Sequence, residues 1–139
     1  MKERCPSARF ISTAKLPGFR LAFTRRSARR DCGVADAVSA AGSCLWGAIY
    51  DISDADVEQL DKSEGYFPGR QKNSYWRREC TVLVGTQEQA LTVATYFADP
   101  ELNAPLPNQR YKDLIVQGAR HWCLPSDYLA ELEGIEVGQ

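Results

Sequence analysis

The stretch DPELNAPLPNQ at 99–109 divides the chain into two parts of different character. Its prolines, Pro100, Pro105 and Pro107, exclude regular structure there, because proline lacks the backbone donor that helices and sheets use. Most of the sequence before this stretch has the short apolar and β-branched segments of strands, whereas the sequence after it has helical apolar spacing. This order predicts an α+β fold with helices at one end of a sheet.

Six segments have the composition of strands, and turn signals pair most of them into hairpins. Pro17 and Gly18 predict a tight turn between the first two segments, and the polar sequence TQEQ predicts another between the last two. We therefore expect about five to six strands in a small mixed β-barrel or curled sheet. The segments are 8–16, 19–25, 35–42, 44–52, 75–85 and 90–98.

Three helices are predicted, one of them inserted among the strands. Ser53 is a suitable N-cap, Asp54 and Asp56 favour the positive end of the helix dipole, and Gly65 is a stop signal, so the first helix covers 54–63. A second helix is predicted at 110–119, and a third at 126–135, where Ser126 is the expected cap.

The length and the net charge of the chain limit its domain number and the kinds of molecule that it is expected to bind. The 139 residues are enough for one domain, and 18 acidic residues nearly balance 17 basic ones. Such a balance gives no overall field for nucleic acid or an anionic membrane, so a small neutral or zwitterionic partner fits better. No apolar run of about 18 residues occurs, and the first ten residues lack the apolar core of a secretory signal. We therefore expect a soluble, cytoplasmic protein.

The numbers and spacing of the cysteines and of the single histidine argue against a metal site, a disulfide framework and a thiol active site. Five cysteines occur without any CxxC pair, which argues against a disulfide framework and a zinc site, and the single histidine excludes a His-rich metal centre. A thiol enzyme using Cys123 with His121 is a weaker hypothesis, because no elbow or orienting acid accompanies the pair. No metal site is predicted.

Glu64, at the end of LDKSEG (60–65), is the candidate for proton transfer. It lies at the C-terminus of the first predicted helix, where the negative end of the dipole disfavours an ionised carboxylate. Lys62 is two residues away and points to another side of the helix. A carboxylate in that position is suited to accept a proton near neutral pH, although a solvated helix-end residue would also satisfy the pattern.

An ordered set of motifs resembles the γ-glutamylcyclotransferase family. The set begins with LDKSEG, continues with Gly69, Tyr75 and ATYFA (94–98), and ends with PNQRYKDLIVQGARHWCLP (107–125). The upstream segments RCPSARFISTAKLPGFRLAF (4–23) and WGAIYDI (46–52) fit the same family in order and spacing. The resemblance covers almost the whole chain, although each motif by itself is common.

The resemblance implies a β-barrel with flanking helices around a pocket in which a γ-glutamyl amino acid or amine cyclises to 5-oxoproline and releases its amine. It implies Glu64 as the general acid/base and no cofactor. It also implies that Tyr75, Tyr96 and Tyr111 line the pocket and bind the substrate, whereas each of these tyrosines alone would be ordinary packing. Whether the chain forms a homodimer is left open.

Two departures from the family pattern modify this expectation. Family members begin with a strand ending in Tyr-Gly-Ser-Asn, which this sequence lacks, so residues 1–139 are expected to form a single domain without its first strand. Loss of one oxyanion donor typically lowers a rate by about 10²–10³, which leaves a non-catalytic ligand-binding or interaction domain as the alternative. The loop after Glu64 is also longer and carries Arg70 and Lys72, which would favour a leaving group with a carboxylate.

Overall fold

Two very long strands dominate the sheet in the computed structural model, which describes residues 5–138. Four strands form one antiparallel sheet in the order β2-β1-β3-β4. Together with three helices they confirm the predicted α+β class. In chain order the elements are β1 (Arg9–Ser27), β2 (Cys32–Asp51), α1 (Asp54–Glu64), β3 (Tyr75–Val84), β4 (Gln89–Ala98), α2 (Gln109–His121) and α3 (Ser126–Glu133).

The predicted hairpin at Pro17-Gly18 is wrong, and so is the division of 35–52 into two strands. β1 and β2 each continue through these positions, and the pairing shifts so that residues 40–43 of β2 lie opposite Gly18 alone. Gly18 and Gly42 have φ of +80° and +82°. Glycine at positive φ permits a bulge as readily as a reversal, so the two strands bend together without ending. The sheet therefore has four strands, fewer than the predicted five to six.

The sheet curls without closing into a barrel. β1 and β3 are registered only through Lys15 and Leu83, whereas β3 and β4 pair along their full length. At one end, the buried carboxylate of Asp36 in β2 accepts hydrogen bonds from the Ala98 amide at the end of β4, at 2.9 Å, and from the Thr24 hydroxyl, at 2.8 Å. Among residues 5–138, β2 and β4 are not paired with each other as strands, which leaves a gap between these two outer edges of the sheet.

Capping residues explain the helix ends. The Ser53 side chain accepts from the Asp56 amide at the start of α1, as predicted, and Asn108 does the same for the Tyr111 amide at the start of α2. The prediction that Ser126 caps α3 is wrong, because Pro125 occupies the cap position and Ser126 is already helical. The three helices themselves are confirmed within one to two residues of their predicted starts and ends.

The core is divided among three apolar clusters. α2 and α3 pack together through one of them, α1 covers a second, and the third lies on the sheet between β1 and β3. Their buried members are Val116, Ala119, Tyr128 and Leu132 in the first, Cys5, Ala8 and Leu60 in the second, and Ala14, Leu16 and Val82 in the third. Across residues 5–138, none of the helices has the length and apolar character needed to span a bilayer. Residues 1–4 and 139, included in the predicted domain, lie outside the described part.

Candidate active site

The turn after α1 sets the position of Glu64. Gly65 adopts the left-handed conformation, with φ of +76°, and its amide donates to the Lys62 carbonyl at 3.1 Å. A Cβ at Gly65 would lie 3.0 Å from Cβ of Ser74, so the position favours glycine both for its conformation and for its close contact. The chain thus leaves the helix sharply toward β3, and Glu64 remains half-buried at the helix end.

A cavity of about 960 Å³ lies beside Glu64, in the gap between the two sheet edges. Successive residues of both edge strands line it, 45–51 from β2 and 91–96 from β4, together with Ile52 just after β2. Its remaining walls combine aliphatic side chains from β1, α1 and β3 with the charged residues Glu64, Arg77, Arg78 and Glu79. A largely apolar cavity with a few polar groups is the usual form of a small-molecule site.

Tyr96 lines the cavity together with Glu64, and its hydroxyl is bound to α1. The hydroxyl donates to Oδ1 of Asp61 at 2.5 Å, while Nη1 of Arg77 donates to Oδ2 of the same carboxylate at 2.7 Å. Burial, and after it the hydrogen bond to Asp61, raise the pKa of Tyr96 well above its usual value. The Tyr96 hydroxyl therefore stays protonated and holds Asp61.

Tyr75 and Tyr111 meet at one backbone residue of β2. The Tyr75 hydroxyl donates to the Ala35 carbonyl, and the Ala35 amide donates to the Tyr111 hydroxyl, both at 3.0 Å. Burial raises the pKa of both phenols. Because the Tyr111 hydroxyl accepts in this pair, its own proton is still able to bind another acceptor, whereas the Tyr75 proton is used.

Glu64 lies within electrostatic reach of all three predicted tyrosines. Burial is the largest cause of the raised pKa of Tyr75, Tyr96 and Tyr111, and the negative charge of Glu64 is a smaller cause of each. The structure thus brings the four predicted site residues into one region. It arranges them in two groups: Glu64 and Tyr96 line the cavity, whereas Tyr75 and Tyr111 are not among its wall residues.

Comparisons of sequence and structure relate this chain to known proteins. The profile of the AIG2-like family matches residues 44–132. Human γ-glutamylcyclotransferase is 31% identical over 138 residues, a match that spans 96% of this chain and 70% of the human protein. The mouse γ-glutamylcyclotransferase is 31% identical over 141 residues, which is 98% of this chain and 71% of the mouse protein.

The chain belongs to the γ-glutamylcyclotransferase family. A solved structure of a γ-glutamyl cyclotransferase superimposes with a TM-score of 0.88 at 26% identity, covering 99% of this chain and 80% of the other. YkqA from Bacillus subtilis, at 21% identity and a TM-score of 0.74, supports the fold alone. These matches support a γ-glutamylcyclotransferase-like enzyme that acts on a small molecule.

Sequence reasoning missed Asp61, whose two carboxylate oxygens both accept hydrogen bonds at this γ-glutamylcyclotransferase-like site. Its signal was present in LDKSEG, where Asp61 precedes Glu64 by three residues and so shares its side of the helix. Its partners, Arg77 and Tyr96, come from β3 and β4, which the sequence does not place next to α1. The buried Asp36 was missed for the same reason.

Other predicted functional groups lie away from the cavity. Arg70 is exposed and stacks over the Phe67 ring at 4.1 Å, and Lys72 is exposed in the same loop. His121 and Cys123 are exposed around the end of α2, where the His121 ring packs edge-on against Trp122 at 4.5 Å. None of the four is among the cavity walls in the described part, so the thiol hypothesis gains no support.

Proposed function

We propose that the chain cyclises a γ-glutamyl amino acid or γ-glutamyl amine to 5-oxoproline, with Glu64 as the general acid/base. The observation that carries the proposal is the position of Glu64: half-buried, on the wall of a cavity large enough for such a molecule, and within electrostatic reach of three tyrosines. Membership of the γ-glutamylcyclotransferase family supports the reaction class.

The chemistry needs only one proton-transfer group. The substrate's α-amine attacks its own γ-carbonyl carbon, so a C–N bond forms in a five-membered ring and the original γ-amide C–N bond breaks. Both reacting groups belong to one molecule, and the entropy of approach is already small. Glu64 takes a proton from the α-ammonium, which makes the amine nucleophilic, and returns it to the departing nitrogen, which leaves as a neutral amine. The ring nitrogen loses its second proton to solvent as the ring closes, and the released amine takes one proton from solvent.

The neighbouring tyrosines suit different tasks in this proposal. Tyr96 is bonded to Asp61 and forms part of the cavity wall, so we assign it to shaping the pocket. Tyr111 is not a wall residue of the cavity, but its hydroxyl proton is able to donate, so we propose that part of the substrate extends from the cavity toward it. The Tyr75 proton is used by the Ala35 carbonyl. We therefore expect Tyr111 to contribute more to substrate binding than Tyr75.

The direct test is product identity. Purified protein is incubated with a γ-glutamyl dipeptide, and the products are separated by mass spectrometry. The proposal predicts equal amounts of 5-oxoproline and free amino acid. Release of glutamate, the product of hydrolysis by water, would contradict cyclisation.

We also propose that residues 1–139 form one domain, whose sheet has room for a further strand between β2 and β4. The two outer edges of the sheet, from β2 and β4, face the same cavity, and a further strand between them would pair with both. The open gap also favours the alternative of a ligand-binding domain without turnover. A dipeptide that raises the melting temperature in proportion to its concentration, yet is recovered intact, would support that alternative.

A further inference from the structure

We propose that Asp61 is a positioning residue, which holds Glu64 at the cavity wall through Arg77 and Tyr96. The inference rests on the proposed function, because it assigns a role toward the proton transfer of Glu64. Asp61 itself touches none of the reacting atoms in this account. Its effect is to fix the helix end from which Glu64 projects.

The first support is the set of contacts that the Asp61 side chain makes. The residue is only 6% exposed, and its two oxygens are occupied by Nη1 of Arg77, at 2.7 Å, and the hydroxyl of Tyr96, at 2.5 Å. Arg77 and Tyr96 are directly opposite each other in the β3–β4 pairing. One carboxylate on α1 therefore joins two neighbouring strands, and a buried charge is tolerated because both of its oxygens are bonded.

The second support is the turn that follows Glu64. The backbone carbonyl of Asp61 accepts from the Tyr66 amide at 2.8 Å, and the Arg77 guanidinium lies over the Tyr66 ring at 5.5 Å from its centroid. The same residue thus anchors the helix before Glu64 and the chain after it. Glu64 lies between these two anchor points and one helical turn from the Asp61 side chain.

The consequence for catalysis follows from the geometric demands of proton transfer. A displacement of about 1 Å of a catalytic group is enough to lower a rate by about 10²-fold. Without the Asp61 contacts, the last turn of α1 would lose the side-chain hydrogen bonds that join it to β3 and β4, and it would keep its backbone capping bonds and the packing of Leu60. Loss of the contacts should therefore lower kcat, while substrate contacts made by the other cavity walls keep KM nearly constant.

Two single variants and their combination test the proposal. Asp61→Asn keeps an oxygen for Tyr96 but removes the charge that binds Arg77, and Tyr96→Phe removes the other contact. We expect each to lower kcat by about tenfold or more with KM within about threefold, and we expect the double variant to be little worse than the poorer single one. Asp54→Asn, an exposed carboxylate change at the start of α1, is the matched control and should keep wild-type kcat.

A measurement without substrate separates this inference from the proposed function. Hydrogen exchange of the Gly65 and Tyr66 amides should accelerate about tenfold or more in Asp61→Asn, with no change in the β3–β4 amides. If Asp61→Asn alone unfolds, Asp61→Asn combined with Arg77→Met removes both charges and serves in its place.

The outcomes are distinct. Wild-type kcat and unchanged exchange in Asp61→Asn would overturn the inference, as would losses of kcat that only follow the unfolded fraction. Fully additive losses from Asp61→Asn and Tyr96→Phe would overturn the claim that they act as one unit. If the wild-type protein releases no 5-oxoproline, the proposed function fails, and the exchange result alone decides whether Asp61 fixes the turn.

Discussion

Tyr75 and Tyr111 bind the same backbone residue but use their hydroxyl protons differently. Each makes one hydrogen bond of 3.0 Å to Ala35, and a bond of this kind contributes about 0.5–1.5 kcal/mol. Tyr75→Phe and Tyr111→Phe should therefore lower the free energy of unfolding by similar amounts. Only Tyr111→Phe should also weaken substrate binding, because of the two hydroxyl protons only that of Tyr111 remains able to donate to the substrate.

The check is a pair of urea titrations together with kcat/KM for the two variants. We expect Tyr111→Phe to lower kcat/KM by about tenfold, and Tyr75→Phe to change it by less than about threefold. The difference reflects a hydrogen bond to the substrate that only Tyr111→Phe removes. An equal loss of kcat/KM in both variants, with both proteins fully folded, would show that the hydroxyl protons do not determine the difference.

At the scale of single elements, the start of β2 depends on one glycine. The Gly33 amide donates to the Leu106 carbonyl at 3.1 Å, and a Cβ at Gly33 would lie only 1.9 Å from the Pro105 carbonyl oxygen. The proline-rich segment therefore packs directly on the β2 backbone. Gly33→Ala should lower the free energy of unfolding by about 1–3 kcal/mol, because the segment must move away.

Gly47→Ala is the control for this prediction. Gly47 lies in the same strand, and a Cβ there would meet nothing within 4 Å. Thermal unfolding of both variants should show a lower melting temperature for Gly33→Ala and little change for Gly47→Ala. Equal melting temperatures would contradict the close packing of the proline-rich segment on β2.

The elements that the sequence predicted well are those with local signals. The capping residue Ser53 and the stop at Gly65 define α1, and β3 and β4 were predicted because their turn is polar and short. Gly18 misled because its positive φ serves a bulge as well as a hairpin turn. Neighbouring residues were therefore sufficient to predict α1 and the β3–β4 hairpin. The bulge at Gly18 is defined by the pairing of β1 with β2, which neighbouring residues do not reveal.

The candidate site was only partly predictable for the same physical reason. Glu64 was predicted from its place at a helix end and the three tyrosines from a family resemblance, whereas the hydrogen-bond partners of the tyrosines were not predicted. Ala35 is 76 residues from Tyr111, and Asp61 is 35 residues from Tyr96. Such contacts depend on how the sheet curls, and composition and periodicity carry no information about that curl.

For the whole molecule, the open gap between β2 and β4 leads to a prediction about completion of the sheet. A strand-forming segment that ends in Tyr-Gly-Ser-Asn, fused ahead of Met1, should pair with the exposed edges and supply backbone donors near Glu64. We expect the melting temperature to rise and kcat to increase by about 10²-fold or more, the usual effect of restoring an oxyanion donor. A Gly/Ser segment of equal length is the control.

The effect of the fused segment must depend on its strand-forming sequence and not on its length alone. The Gly/Ser control should leave both the melting temperature and kcat at the values of the 139-residue chain. If both fusions behave alike, the gap between β2 and β4 does not accept a further strand. If the strand-forming fusion raises stability without turnover, the ligand-binding alternative is favoured.

The most direct test of the central claim is a comparison of two glutamate variants on α1. Glu64→Gln keeps the size and shape of the side chain but removes its ability to carry the proton, and Glu58→Gln makes the same change at an exposed position of the same helix. We predict that Glu64→Gln lowers kcat for release of 5-oxoproline by about 10²–10⁴-fold, with the melting temperature nearly unchanged, and that Glu58→Gln behaves like the wild type. Wild-type turnover in Glu64→Gln would contradict the assignment of Glu64 as the proton-transfer group.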